Sequence, residues 1–299
     1  MILQTIKQIS CLLCLCCFLQ QSAFSQDNKD KPAYTLFDNT GKQISYGELI
    51  KRLSGYDVIF LGELHNCPIT HWLEFEITRS IYNIHKDQLM LGAEMFESDN
   101  QLIFDEYMQQ KISYDRFEAE ARLWDNYRTD YYPVVFFAKE HHIPFIATNI
   151  PRRYANIVKN KGFEALDSLS EEAKRYIAPL PIDFEYDEAQ SAAAFSMMNM
   201  MGGRRAGDNR KLAQPKAIKD ATMGWFIARN IKNKFLHING SYHSNRQGGI
   251  IPYLLRYRPN TSIVTVTSVR QEYIRKLDDD HKGLADFYIC VPEDMVNSY

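Results

Sequence analysis

From residue 58 onward, short apolar runs alternate with longer amphipathic segments, and that rhythm predicts an α/β fold. Six runs read as strands: Val58–Leu61, Leu89–Ala93, Phe145–Thr148, Phe235–Ile238, Ser262–Thr267 and Phe287–Val291. Several are continuously apolar rather than alternating, as strands covered on both faces are. Between them the helical period takes over. Pro68 suits the first turn of a helix capped by Asn66, and Ile69, Trp72, Leu73, Ile77 and Ile81 carry an apolar stripe to about Tyr82. Further helical patterns run near 99–110, 115–123, 131–142, 152–160, 216–232 and 250–257. The expected architecture is a largely parallel central sheet flanked by helices.

Residues 163–214 interrupt the alternation. They hold Pro179, Pro181, the acidic run Asp183, Glu185, Asp187 and Glu188, and the Met-rich stretch Phe195–Met201, with no strand pattern. This segment reads as a helical insertion covering the carboxyl ends of the strands. The Met-rich stretch suits two roles, a lid over a flat apolar ligand or packing into a core.

Composition narrows the class. With 299 residues and 45% hydrophobic content, the chain suits one domain with one continuous core. A net charge of −2 without a long basic stripe excludes a nucleic-acid partner. Lys7, the apolar run Ile9–Leu19 and the small residues Ala23 and Ser25 form a signal peptide over residues 1–25, cut between Ser25 and Gln26. The run falls short of the roughly 20 residues a permanent span needs. Cys11, Cys14, Cys16 and Cys17 keep a lipoprotein signal open as the alternative, although no small residues precede them as such sites prefer. A polar stretch over 26–35 begins a leader that extends to residue 44, and the domain occupies 45–299. Only Cys67 and Cys290 remain after cleavage, which excludes a disulfide framework and a Cys-rich zinc site.

The candidate chemistry sits where strands end. Phe60–Leu61 runs into Gly62-Glu63-Leu64-His65, and Phe235–Ile238 runs through Asn239 into Gly240-Ser241-Tyr242-His243. In open α/β sheets the carboxyl ends of strands are where ligands bind, so two strands deliver Glu63, His65 and His243 to one face. His71 and Glu74 follow on the next helix, and Glu94 stands just past a third strand run. Imidazole with carboxylate is a ligand set for zinc, manganese or non-haem iron, and a carboxylate beside a histidine also serves as a general base. Glu63 and Glu94 are the candidate catalytic groups, and His65, His71 and His243 the candidate metal ligands. Two aromatic and basic clusters add Tyr127, Arg128 and Tyr131, then Arg152 and Arg153. Their arginines suit the clamping of carboxylates or ordinary structural salt bridges. Cys67-Pro68 is a pair met at haem sites, but helix initiation explains it.

These phrases together resemble the ChaN-like haem-binding uptake proteins, of one superfamily with the Tiki proteases and erythromycin esterases. The resemblance rests on Gly62-Glu63-Leu64-His65 with His71, Ala93-Glu94-Met95-Phe96, Asp130-Tyr131-Tyr132-Pro133, Asn149-Ile150-Pro151-Arg152 and Asp220-Ala221-Thr222-Met223, in order over about residues 45–270. It implies an exported, periplasmic or membrane-associated protein that binds haem for iron uptake. An outer-membrane haem uptake machinery is the expected partner, and haem sandwiched between flat apolar faces would favour a homodimer. It implies a tyrosine as iron ligand without fixing which, and Tyr127, Tyr131 and Tyr242 are the candidates, with Arg128 and Arg152 for the propionates. The Tiki branch implies the alternative, a zinc- or manganese-dependent hydrolase built on Glu63, His65, Glu94 and His243. One departure stands against simple transfer of that geometry: the second turn reads Gly-Ser-Tyr-His, where ChaN-like chains commonly carry Gly-Asn-Gly-His, so Tyr242 projects near the site.

Overall fold

The computed structural model describes residues 31–184 and 209–299. Residues 1–25, expected to be a signal peptide, with their cysteines, and the Met-rich stretch lie outside them. Seven strands form one sheet: β1 (Thr35–Asp38), β2 (Val58–Glu63), β3 (Leu89–Glu97), β4 (Phe145–Asn149), β5 (Lys234–Gly240), β6 (Ile263–Gln271) and β7 (Phe287–Pro292). Their order is β1-β7-β6-β2-β5-β3-β4. Every pairing is parallel except β1 with β7. The late strand β5 enters between β2 and β3, so the turns leaving all three meet at one edge.

The strands are apolar throughout because both faces are covered. Ile59 and Leu61 of β2 point into a core shared with Leu49 and Leu53 of α1 (Tyr46–Leu53), Leu73, Ile77 and Ile81 of α2 (Pro68–His85), and Phe104 of α3 (Gln101–Met108). Phe117 of α4 (Tyr114–Glu120) and Val134 and Val135 of α5 (Tyr132–Glu140) complete that layer. Val58 and Phe60 point the opposite way, onto Met223 and Ile227 of α8 (Asn209–Asn230) and Ile250, Ile251 and Leu254 of α9 (Ile250–Tyr257). A smaller core joins α6 (Arg152–Lys161) to Leu166, Ile177 and Ile218.

The expectations hold for six strands and for the sheet, with four corrections. Residues 35–38, assigned to the leader, form β1, an edge strand held by pairing with distant β7. Helix α1 is additional; Ser45 caps it by accepting from Glu48 N at 3.1 Å. The cap of α2 is Cys67 rather than Asn66, and it makes no side-chain bond; Asn66 instead accepts at its carbonyl from Ser298 N, 2.9 Å away. Helix α8 begins at Asn209, inside the stretch assigned to the insertion, and continues through Pro215, where a start after the proline was expected. Within the insertion, α7 (Glu171–Lys174) leads to residues that tie down near the β3 exit: Ser98 Oγ donates to Tyr176 O at 2.7 Å, and Ala178 N donates to Thr222 Oγ1 at 3.2 Å.

Candidate functional site

Close backbone approach builds the site. Glu63 and Gly240 end β2 and β5 in register. A Cβ on Gly62 would come within 3.0 Å of Ser241 Cα and Val266 O, and one on Gly240 would come within 2.7 Å of His65 Nε2. Gly62 is therefore required by space, and the bare Cα of Gly240 lets the His65 ring lie against the β5 exit. Glu94, expected just past a strand, lies within β3, where the register to β4 shifts between Ala93 and Glu97. A bulge of this kind re-aims a side chain, and Glu94 Oε2 accepts the Gly240 N–H at 2.8 Å.

The side chains fall into two groups. In the first, Glu63 Oε1 accepts from Tyr131 Oη at 2.8 Å and meets His65 Nδ1 at 2.5 Å. His71, aimed back from α2, places Nδ1 3.2 Å from Glu74 Oε2 and 3.5 Å from Glu63 Oε2. Its Nε2 faces the His65 carbonyl at 3.2 Å and Asp130 Oδ2 at 3.4 Å. Burial pushes Glu63 and Glu74 up to about 8 each, with the charge of Glu74 adding to the shift at Glu63 and that of Asp130 to the shift at Glu74.

In the second group, His243 bridges two carboxylates: Nε2 lies 3.2 Å from Glu94 Oε1 and Nδ1 2.5 Å from Asp220 Oδ1. Burial alone would favour the neutral ring. The charges of Glu94 and Asp220 outweigh it and lift His243 to about 9. Glu94 is held well below the carboxylate range: burial opposes ionisation, and His243, then His65, overcome it. Lys216 Nζ closes the relay by donating to Asp220 Oδ2 at 2.6 Å. His65 joins the two groups. Burial works against its protonation, but Glu63 and then Glu94 raise its pKa, and its side chain, 39% exposed, brings the site to the surface.

Thus the sequence-derived set Glu63, His65, Glu94, His243 and His71 does converge, although as two carboxylate–histidine groups rather than one ring of ligands. The tyrosine candidates separate. Tyr127 and Tyr131 are buried, Tyr127 within an aromatic cluster with Phe96 and Phe117, and burial raises both phenols. Tyr242 is 46% exposed, with Lys216 Nζ 4.6 Å from its ring centroid. Arg128 pairs with Glu118, Arg152 with Glu97 and Arg153 with Asp99. Arg128 and Arg152 nonetheless keep side chains 72% and 64% exposed. Cys67 is buried and free. The sequence reading missed the working partners Asp220, Asp130 and Asn126. Asp130 and Asp220 lay inside two of the diagnostic phrases, but their spacing from the histidines gives no sign of contact. Asn126 Nδ2 donates to both the His65 carbonyl, at 3.0 Å, and Asp130 Oδ2, at 2.7 Å.

Comparison with known proteins follows this geometry. Residues 49–254 match the family model described as haem-binding uptake, Tiki superfamily, ChaN. No curated protein matches. Among solved structures, ChaN of Campylobacter jejuni, described by its cofacial haem binding, superposes with a TM-score of 0.68 at 20% identity, covering 88% of this chain and 97% of that one. The type III effector HopBA1 matches at TM-score 0.43 and 12% identity over 83% of this chain and 92% of its own. A mutant erythromycin esterase EreC in an open conformation gives 0.45 and 10% over 79% and 77%.

Proposed function

Because the chain belongs to the haem-binding uptake family of the Tiki superfamily, ChaN, we propose that it is an exported protein that binds haem at the carboxyl edge of its sheet for iron uptake. Tyr242 carries this reading. A phenolate is a known axial ligand of ferric haem, and of the three tyrosine candidates only this one presents its ring to solvent. Burial raises its pKa, while the Lys216 charge pulls in the direction of the phenolate. The exposed reaches of Arg128 and Arg152 supply cations of the kind that pair with propionates.

The residues present therefore fit haem: an accessible oxygen donor, a nearby ammonium and spare guanidinium N–H groups. Iron chemistry belongs to the haem. The protein's part is to offer Tyr242, to hold it at the β5 exit through Gly240, and to anchor the neighbouring His243 on Asp220. The signal peptide at residues 1–25 supports export to a periplasmic or membrane-associated setting. There the chain would hand haem to or from an outer-membrane uptake machinery, with a second copy of itself as its nearest partner.

Haemin titration tests the proposal. The expected result is a saturable Soret band whose position and charge-transfer features change in Tyr242→Phe, with affinity falling at least tenfold. Absence of a saturable spectral change in the unaltered chain removes the haem reading. A spectrum unchanged in Tyr242→Phe removes Tyr242 as ligand.

A further inference from the structure

Behind the surface histidines, three buried groups that can serve as metal ligands face one another. Glu63 and Glu74 are each 1% exposed and His71 4%. One ligand atom from each lies within 4.8 Å of the other two. The tautomer of His71 can be worked out from its neighbours. Its Nε2 faces the His65 carbonyl, which only accepts, and Asp130 Oδ2, which already accepts from Asn126 and from Ser298 Oγ at 2.7 Å. Nε2 therefore carries the proton, leaving Nδ1 to face Glu63 Oε2 and Glu74 Oε2.

Glu63 Oε2 and Glu74 Oε1 have no hydrogen-bond partner among the described residues, although a buried carboxylate oxygen without one is costly. The opposite oxygen of Glu63 is fully engaged by Tyr131 and His65, so its free oxygen is turned inward by design of its surroundings rather than by rotation. An ion bound at about 2.1 Å in tetrahedral geometry sets its ligands about 3.4 Å apart. His71 Nδ1 stands 3.2 and 3.5 Å from the two carboxylates. A carboxylate on the far nitrogen of a ligating imidazole is the usual support for such a site, and Asp130 occupies that place.

We propose that Glu63, His71 and Glu74 bind a buried divalent transition cation of the zinc or manganese class, separate from any haem at Tyr242. Oxygen and imidazole donors suit these ions. The burial of all three ligands makes the ion a structural one that fixes Glu63, and through Glu63 the position of His65.

The experiment uses the full chain stripped with chelator, dialysed, and titrated with zinc or manganese alone by calorimetry, alongside elemental analysis of untreated protein. The expected result is one equivalent bound, a rise in Tm on adding the ion, and loss of at least a hundredfold in affinity in Glu74→Gln. His243→Ala, which alters only the second group, should retain the ion. Binding of neither ion by the stripped unaltered chain overturns the proposal without recourse to a variant. Loss in His243→Ala with retention in Glu74→Gln also overturns it, because the ion then sits at the surface group. A haemin titration on the same samples keeps the two readings apart, since Tyr242→Phe should leave metal content unchanged.

Discussion

His237 stays neutral because it is sealed into the sheet. Its Nδ1 faces Asn239 Oδ1 at 3.0 Å and its Nε2 faces Thr148 Oγ1 at 2.8 Å, and burial pulls its pKa down to about 4. In the unfolded chain the ring takes a proton near pH 6.5, so the unfolded state binds more protons between the two values. The contribution of His237 is therefore full above about pH 6.5 and falls as pH drops toward 4, by up to roughly 3 kcal/mol. Denaturant unfolding of unaltered protein and His237→Gln over that window checks this. The variant should show a flatter pH dependence, and parallel curves would refute the assignment. His237 also illustrates what a sequence withholds. It sits two residues before the Asn239-Gly240 turn, and only the fold separates a satisfied core histidine from the exposed His65 or the ion-paired His243. Those two were legible as site residues because each follows a glycine at a strand end. Their partners Asp130 and Asp220 were not, since a helix delivers Asp220 from 23 positions away and a packed turn delivers Asp130.

Strand and helix ends explain most of what was and was not readable. The six parallel strands announced themselves by apolar runs, but β3 and β5 continue past those runs through Glu94 and Asn239-Gly240. The ladder tolerates polar residues there because the site needs them. The short β1 carries no pattern of its own and exists through its pairing with β7. Before α5, the chain takes a single π-helical turn over Tyr127–Tyr131, closed by Tyr132 N to Tyr127 O. Such turns occur often at functional sites; here Asp130 and Tyr131, adjacent in sequence, both reach the buried group around His71 and Glu63. Glycine tests the element level directly. At Gly62 an added methyl meets backbone atoms of two neighbouring segments, so Gly62→Ala should destabilise by about 1–3 kcal/mol as overpacking does. At Gly240 it meets only the tip of the His65 ring, a side chain 39% exposed, rather than backbone. Gly240→Ala should then keep its unfolding midpoint within a few degrees while perturbing haemin binding. Chemical denaturation of both variants separates the two cases, and equal destabilisation would contradict the distinction.

For the molecule as a whole, the two carboxylate–histidine groups gather at the carboxyl edge where β5 enters between β2 and β3, as the crevice rule for open sheets requires. With Tyr242 as the proposed ligand, a haem at that edge would have one face covered by the protein and the opposite face in water. Burying that apolar face against a second copy is favourable at roughly 25 cal/mol per Å², and a formal charge of −2 on the chain sets little repulsion against it. Haem should therefore drive self-association that the free protein lacks at the same concentration. Sedimentation velocity with and without haemin checks this: the unaltered chain should shift toward the dimer on saturation, and Tyr242→Phe should remain at the ligand-free position. Saturable haem binding by a species that stays monomeric would discard the dimer while leaving Tyr242 as the ligand.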